Sequence, residues 1–346
     1  MTDASGREQD NVVPFPERTT RPADARVEPA PQDFDAVRTA LEELRREIRT
    51  RLPDPVARAT AAPSELEVDW MALFDELRLR VSRFGMRERP ADSDDFGMDA
   101  LTLAETRPLL DWLLDRYWRV KLVGEPNIPT TGPVLFVANR SGLLPYDGVV
   151  LAHLIERARP DRPRPRFMVA DWLITLPFVQ SYLARIGGVR ACRENADRLL
   201  RTGRSVVAFP EGAKGAAKVF RERYRLKRFG RGGIVRAALD NGVPLVPVGI
   251  VGAEEAHPIL FKSHLPGRIV GLPFVPVTPT FPWLGPLGAL PLPTKWVVVI
   301  GEPVALPHPD DADRETLLIS RTTEAIRDRI QVLVERGLDL RRSVWE

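Results

Sequence analysis

Apolar positions along this chain change their period near residue 119, and the change divides two kinds of structure. Phe34, Val37, Leu41, Leu44, Ile48 and Leu52 recur at steps of three and four with Glu and Arg between them, which predicts one amphipathic helix. That helix either docks on its own core or forms a dimer seam over 33–52. A Pro/Ala linker follows from Arg51 to Pro63, and Ser64 with Glu67 has the spacing of a capping box. The helix it opens runs through Trp70, Leu73, Phe74, Leu77 and Val81, and a third is expected from Leu103 to Trp118 after a polar break at 90–97. Residues 33–118 therefore read as a helical N-terminal region.

From Arg119 onward, short continuous apolar runs end in Gly, Pro or Asn: Val120–Val123, Val134–Ala138, Val206–Phe209, Leu245–Ile250 and Trp296–Ile300. Unbroken Val/Ile/Leu runs suit strands buried on both faces. Helical stretches near 147–158, 171–186, 193–203 and 230–241 alternate with them, which predicts an α/β domain over 119–346 with a mainly parallel sheet flanked by helices.

Composition narrows this picture. The first 32 residues hold five prolines among charged and small residues, too little apolar surface to offset chain entropy, and read as a disordered leader. The remainder belongs to a chain of 346 residues that is 44% apolar, ample for a large core. A single cysteine, Cys192, excludes an intramolecular disulfide and a tetrathiolate metal site. The four histidines, at 153, 257, 264 and 308, include no short-spaced pair, so no metal is expected. No basic-then-apolar leader and no helix-compatible apolar run of about 18 residues is visible. The expected location is cytoplasmic.

Candidate chemistry clusters at strand ends. Asn139-Arg140-Ser141-Gly142-Leu143-Leu144-Pro145-Tyr146-Asp147 follows the second apolar run, and Gly187-Gly188-Val189-Arg190 follows an apolar helix. Phe209-Pro210-Glu211-Gly212-Ala213-Lys214 ends the next run, and Val246-Pro247-Val248 lies within the one after. In a parallel sheet such ends share one edge, where ligand crevices form. The order and rough spacing of these four blocks resemble the glycerol-phosphate and lysophospholipid (1-acylglycerol-3-phosphate) acyltransferase family over roughly 119–302, with Phe-Pro-Glu-Gly the most specific block.

The resemblance implies acyl transfer from acyl-CoA or an acyl-carrier protein, as co-substrate, to a hydroxyl of a lysophospholipid or glycerol phosphate. In that family the first block supplies a histidine base and an orienting aspartate, and the later blocks hold the acceptor's phosphate. Carried over residue by residue, Asp147 matches the aspartate, Arg190 the second block's basic residue, and Phe209, Pro210, Glu211 and Gly212 the third block, with Lys214 where basic character is usual.

One position departs. Arg140 stands where the histidine belongs, and six residues rather than four separate it from Asp147. Taking a proton from a guanidinium, with a pKa of at least about 12.5, costs roughly 7 kcal/mol at pH 7. General-base help returns only about 3–5 kcal/mol. Arg140 is therefore expected to hold anionic charge or the thioester oxyanion. Of the other histidines, His153 should sit inside its helix, whereas His257, after the Leu245–Ile250 run, can reach the same edge either as a surrogate base or as an ordinary loop residue. Plainer readings stand beside these: Asp147 as a helix cap, Arg190 as a surface charge, Cys192 as packing.

Between Lys214 and Arg236 there are nine basic residues and one acidic, interleaved with Phe220, Tyr224, Leu226 and Phe229. An anionic partner follows, and without a helix-turn-helix or RNP signature a phospholipid surface is favoured over nucleic acid. Ile269 to Thr294 has no charge over 26 residues but carries seven prolines, which forbid a spanning helix. It forms either a buried lobe or a loop dipping into headgroups, and in either case can line an acyl-chain channel. The reading is thus an acyltransferase peripheral on the inner face of the membrane; a catalytically silent binder of acyl-CoA or lipid, or an interaction scaffold, are its rivals.

Overall fold

A computed structural model describes residues 93–142, 144–174, 179–263, 274–306 and 312–345. The leader, the helices expected at 33–52 and 64–81, the Ser64–Glu67 capping box and the 33–52 dimer seam lie outside the described residues.

The third expected helix is present. The Asp99 carboxylate accepts hydrogen bonds from the backbone N–H of Leu101 (3.1 Å) and Thr102 (3.0 Å), satisfying donors that a helix start leaves open, and α1 runs Ala100–Trp112. One wider turn, Leu113–Tyr117, follows, and carries Leu114 and Trp118 into the core.

Nine strands follow among the described residues: β1 (Lys121–Val123), β2 (Leu135–Ala138), β3 (Arg166–Val169), β4 (Gly188–Arg190), β5 (Val206–Ala208), β6 (Leu245–Val251), β7 (Phe261–Ser263), β8 (Val275–Val277) and β9 (Val297–Ile300). Seven form one sheet in the order β1-β9-β6-β2-β5-β3-β4, while β7 and β8 make a separate antiparallel hairpin. All sheet pairings are parallel except β6 with β9. Five strands of this sheet, β1, β2, β5, β6 and β9, are the continuous apolar runs of the sequence, whereas β3 and β4 are not among those runs; β2, β3, β5, β6 and β9 are buried along their whole length. Within β6, Pro247 accepts from Gly301 N–H (2.8 Å) but has no N–H to return, and the ladder with β9 stops there.

The crossovers supply helices to both faces. α2 (Tyr146–Ala158) covers one face against Phe136, Phe167 and Val248, together with Leu114 and Trp118 from the turn that follows α1. Of the helix expected over 171–186, the described parts are α3 (Asp171–Ile174) and α4 (Val179–Arg185). The other face packs Leu135, Val137 and Val299 under α5 (Arg193–Arg201), α7 (Gly233–Asn241) and the 28-residue α9 (Ala312–Asp339). Two further short helices, α6 (Gly212–Ala216) and α8 (Ala253–Ala256), directly follow the ends of β5 and β6. Because β2 to β6 run the same way, the carboxyl ends of all five strands share one edge; the first three sequence blocks reach it, whereas Val246-Pro247-Val248 lies inside β6.

Candidate functional site

At the end of β2 the chain leaves the sheet without losing pairing. The Asn139 side chain donates to the Ile250 carbonyl (2.9 Å) and accepts from Ile250 N–H (2.7 Å), an amide-for-backbone exchange that extends the β2–β6 contact by one step. This fixes the next residue, Arg140, at the sheet edge. Its backbone N–H donates to Glu211 Oε1 (2.8 Å), and its Nη1 donates to Asp147 Oδ1 (2.7 Å). The side chains of Arg140 and Asp147 are 5% and 1% exposed, so this ion pair is desolvated on both sides.

Asp147 lies in the first turn of α2 and is more than a helix cap. Besides Arg140 it accepts from the backbone N–H of Ser141 (3.1 Å) and Gly148 (2.8 Å) and from the Ser141 hydroxyl (3.2 Å). These donors fix the carboxylate, which in turn holds the Arg140 guanidinium in one place. That guanidinium also lies over the Phe209 ring at 5.2 Å, a cation–π contact that joins the first and third sequence blocks.

Glu211 performs an internal task. Oε1 takes the Arg140 N–H, Oε2 takes Lys227 N–H (2.7 Å), and Lys218 Nζ lies 3.4 Å from Oε2. Lys218 is itself buried between Glu211 and Glu254, whose Oε1 is 2.5 Å away. Burial pushes the Glu254 carboxyl above the usual range, against the opposing pull of Lys218. The carboxylate of Glu211 thereby ties the end of β2 to the basic stretch 218–227. The close packing needs Gly215 in α6: a Cβ there would stand 2.5 Å from Glu211 Cβ and 2.8 Å from Arg140 Cβ.

Arg140, Phe209, Pro210 and Gly212 line a cavity of ≈ 240 Å³ that continues down the face of the sheet, past Val137 and Ala208 to Val235 of α7 and Ile326 of α9. Phe274, the described start of the Pro-rich segment, also lines it. Apart from Arg140, Arg193 and Thr323 the walls are almost wholly apolar, the chemistry of a slot for an aliphatic chain.

The remaining expected residues are spread along this edge. Arg190, at the end of β4, bonds Asp171 through Nε (2.9 Å) and Nη2 (3.3 Å), and both side chains are exposed. It stands apart from the Arg140–Asp147–Glu211 cluster, although its neighbours Ala191, Cys192 and Arg193 line the cavity. Lys214 is exposed on α6. His153 is buried, facing Asp111 (2.9 Å) and Arg164 (3.2 Å) away from the edge. His257 is at the edge: its ring lies parallel to Tyr146, 5.5 Å between centroids, and it shares a small recess with Ser141 and Gly142. Burial pushes the Tyr146 hydroxyl up to about 12, so it stays protonated there.

Lys218, Glu254 and Asn139 are the members of this cluster to which the sequence pattern gives no role. A faint signal exists for Glu254: a paired Glu-Glu directly after a strand of seven apolar residues places carboxylates at a buried end, where they require cationic partners.

A family model described as Acyltransferase matches residues 119–251. The chain is 38% identical over 299 residues to an uncharacterized protein of Mycobacterium leprae, covering 84% of this chain and 82% of that one. It is 40% identical over 254 residues to an uncharacterized protein of Mycobacterium tuberculosis, covering 73% of this chain and 71% of that one. Among solved structures, it is similar to the 1-acyl-sn-glycerophosphate (LPA) acyltransferase PlsC from Thermotoga maritima, with 19% identity, a TM-score of 0.46, and 78% of this chain and 90% of that one covered.

Proposed function

This chain belongs to the acyltransferase family, and from that premise we propose that it transfers an acyl group from a thioester to a hydroxyl of a lysophospholipid or glycerol phosphate at a membrane surface. The observation that carries the reading is the buried Arg140–Asp147 pair at the mouth of the apolar cavity. The acyl chain fits the slot between the sheet and α7, where each buried methylene contributes about 0.8 kcal/mol. Its thioester carbonyl then lies at the Arg140 end.

A guanidinium offers donors and no acceptor, so the part of Arg140 is electrostatic: it stabilises the oxyanion as the hydroxyl adds to the carbonyl. Asp147 orients the guanidinium, as an aspartate orients a histidine base, and Glu211 holds the loop that carries it. The proton of the attacking hydroxyl goes to His257, the imidazole at this edge among the described residues, or through a water to it. The acyl group moves to the acceptor oxygen, the C–S bond breaks, and the thiolate takes up the proton. Arg190 and Lys214, both exposed at the same edge, supply positive charge for the acceptor's phosphate.

A phospholipid surface is the partner we assign. Trp283 and Phe261 are 78% and 72% exposed, and Leu284 and Leu290 are exposed beside them, which supports insertion into headgroups. No described helix is long and apolar enough to cross a membrane.

The test is transfer of a radiolabelled long-chain acyl group from acyl-CoA to a panel of lysophospholipids, with Asp147→Ala and Arg140→His alongside. Transfer by the wild type that Asp147→Ala abolishes is the expected result. If the wild type binds acyl-CoA, transfers nothing, and Arg140→His gains activity, the pocket serves binding alone and the catalytic reading falls.

A further inference from the structure

Lys218 and Glu254 take no part in the chemistry above, yet both are buried beside it. Each oxygen of the two carboxylates around Lys218 has a donor. Glu211 Oε1 accepts from Arg140 N–H (2.8 Å) and Oε2 from Lys227 N–H (2.7 Å). Glu254 Oε1 accepts from Lys218 Nζ (2.5 Å) and Oε2 from Tyr224 N–H (2.6 Å). Lys218 Nζ stands farther from Glu211, 3.5 Å from Oε1 and 3.4 Å from Oε2. The ammonium is thus drawn to Glu254, and the oxygens of Glu211 stay turned to the two backbone N–H groups.

The outer end of this group is anchored. Tyr224 has a φ of 63°, a left-handed conformation unfavourable for a bulky residue, and it directs its N–H at Glu254. Its hydroxyl accepts from Gly252 N–H (3.1 Å) and Arg341 Nη1 (3.1 Å), and Arg341 also bonds Glu255 and the Lys295 carbonyl (3.3 Å). Arg341, just beyond α9, therefore holds Tyr224, and Tyr224 holds Glu254. The inner end is the backbone of Arg140, whose side chain pairs with Asp147.

Stability alone is a weak reason for such a group. Replacing a buried ion pair by apolar side chains of similar volume is often neutral or stabilising, because desolvation offsets the attraction. Placement is the stronger clue, since the bond that leaves the group toward the slot is the one from Arg140 N–H. The described lining of the slot includes neither Lys218 nor Glu254, so they act on a chain bound there only through Glu211 and Arg140. Both line the small recess with Ser141 and His257, which makes direct contact with an acceptor the alternative outcome of the test.

We propose that Lys218 and Glu254 are positioning residues: Glu254 holds the Lys218 ammonium where it leaves Glu211 free to fix the Arg140 backbone, and with it the guanidinium that faces the oxyanion. The proposal rests on the acyl-transfer reading above and adds to it two residues that touch no substrate. Lys218→Met leaves two buried carboxylates together without their cation. Glu254→Gln leaves Glu211 as the carboxylate with which Lys218 pairs, so Nζ closes on the oxygens that Arg140 and Lys227 use. Both substitutions loosen Arg140.

The experiment makes two measurements on the full chain. Amide hydrogen exchange at Arg140 is read from overlapping peptides, with β9 as the internal reference. The second measurement is kcat and KM for acyl transfer from a long-chain acyl-CoA to a lysophospholipid. Wild type is compared with Lys218→Met, Glu254→Gln and a stability control, Glu156→Gln, which alters a carboxylate bonded to Arg164 and His153 away from this edge. In the first two variants exchange at Arg140 should quicken about tenfold relative to β9, the weakening of one charge-assisted bond. Their kcat should fall about ten- to hundredfold with KM held within about twofold, the signature of a misplaced catalytic group. Glu156→Gln should change neither. Unchanged exchange at Arg140 overturns the proposal, and so does an equal fall in kcat in Glu156→Gln. A rise in KM at constant kcat also overturns it and places Lys218 against the acceptor. If near-ultraviolet dichroism shows Lys218→Met unfolded, Glu254→Gln, which keeps the side-chain shape, decides alone. Quickened exchange in the variants of a protein that transfers nothing leaves the positioning of Arg140 standing and removes the catalytic reading, so the two fail separately.

Discussion

The Arg140–Asp147 pair invites a double-mutant cycle, because its two ends differ in what remains when the partner is removed. The contact is 2.7 Å long with both side chains almost wholly buried. Asp147→Asn keeps the shape, but its one oxygen serves either Ser141, at the Oδ2 position, or Arg140 and Gly148, at Oδ1, so its cost combines a lost acceptor with a buried guanidinium left uncompensated, about 3–5 kcal/mol. Arg140→Met is milder. Asp147 keeps three donors, from Ser141 N–H, the Ser141 hydroxyl and Gly148 N–H, and about 1–3 kcal/mol is expected. In the double variant no buried charge is left, and its cost should fall short of the sum of the single costs by about 2–3 kcal/mol. Urea unfolding followed by tryptophan emission suits the measurement, since Trp118 and Trp296 stack at 4.7 Å in the core and are fully buried. Midpoints should shift with unchanged slope. Additivity within about 0.5 kcal/mol would refute the reasoning, because it would mean the two charges are solvated and independent.

Two further outcomes follow from other parts of the molecule. Burial works to raise the Glu156 carboxyl, but bonds to His153, Arg164 and Arg107 outweigh it and hold the group at about 2, against 4.5 for a free glutamate. A depressed carboxylate stabilises the fold above pH 4.5 and loses that contribution as pH falls toward about 2. Wild type should therefore exceed Glu156→Gln in stability at pH 7 by a margin that shrinks below pH 4.5, and a constant margin down to pH 3 would contradict this. At the proposed membrane face, half-burying an aromatic ring removes roughly 100 Å² from water, about 2.5 kcal/mol. Trp283→Ser with Phe261→Ser should thus weaken sedimentation with anionic vesicles by more than about tenfold, and unchanged partitioning would rule that face out.

What the sequence made legible here follows from how each feature is encoded. The sheet strands β2, β5, β6 and β9 are written as continuous apolar runs because helices cover both their faces, and such runs need no partner to be recognised. The strands β3 and β4 are harder. Arg166 opens β3 and is fully buried beside Asp94, a residue 72 positions away, so the strand begins on a charge that only the tertiary structure explains. The long α9 buries Ile319, Ile326, Ile330 and Val334 at helical spacing but exposes Leu317 and Val332, which blurs the stripe.

The site divides in the same way. Asp147 and Glu211 could be marked because their blocks are local, each a few residues of fixed order at a strand end. The partners that fix them could not: Glu211 is held by Lys218 and by the backbone of Lys227, and Asn139 by Ile250, 111 positions on. The replacement of histidine by Arg140 shows the limit most clearly. As a residue in a line of text it reads as the loss of a base. In the folded chain it is a charge held between Asp147 and the Phe209 ring, at the mouth of the slot where the proposed thioester carbonyl lies. Charge at that point and basicity at that point are different means of stabilising the same developing negative oxygen and mobile proton. Arginine can supply only the first, so any catalysis here has to divide between two groups what a histidine does alone, and His257 stands on the same edge for the second.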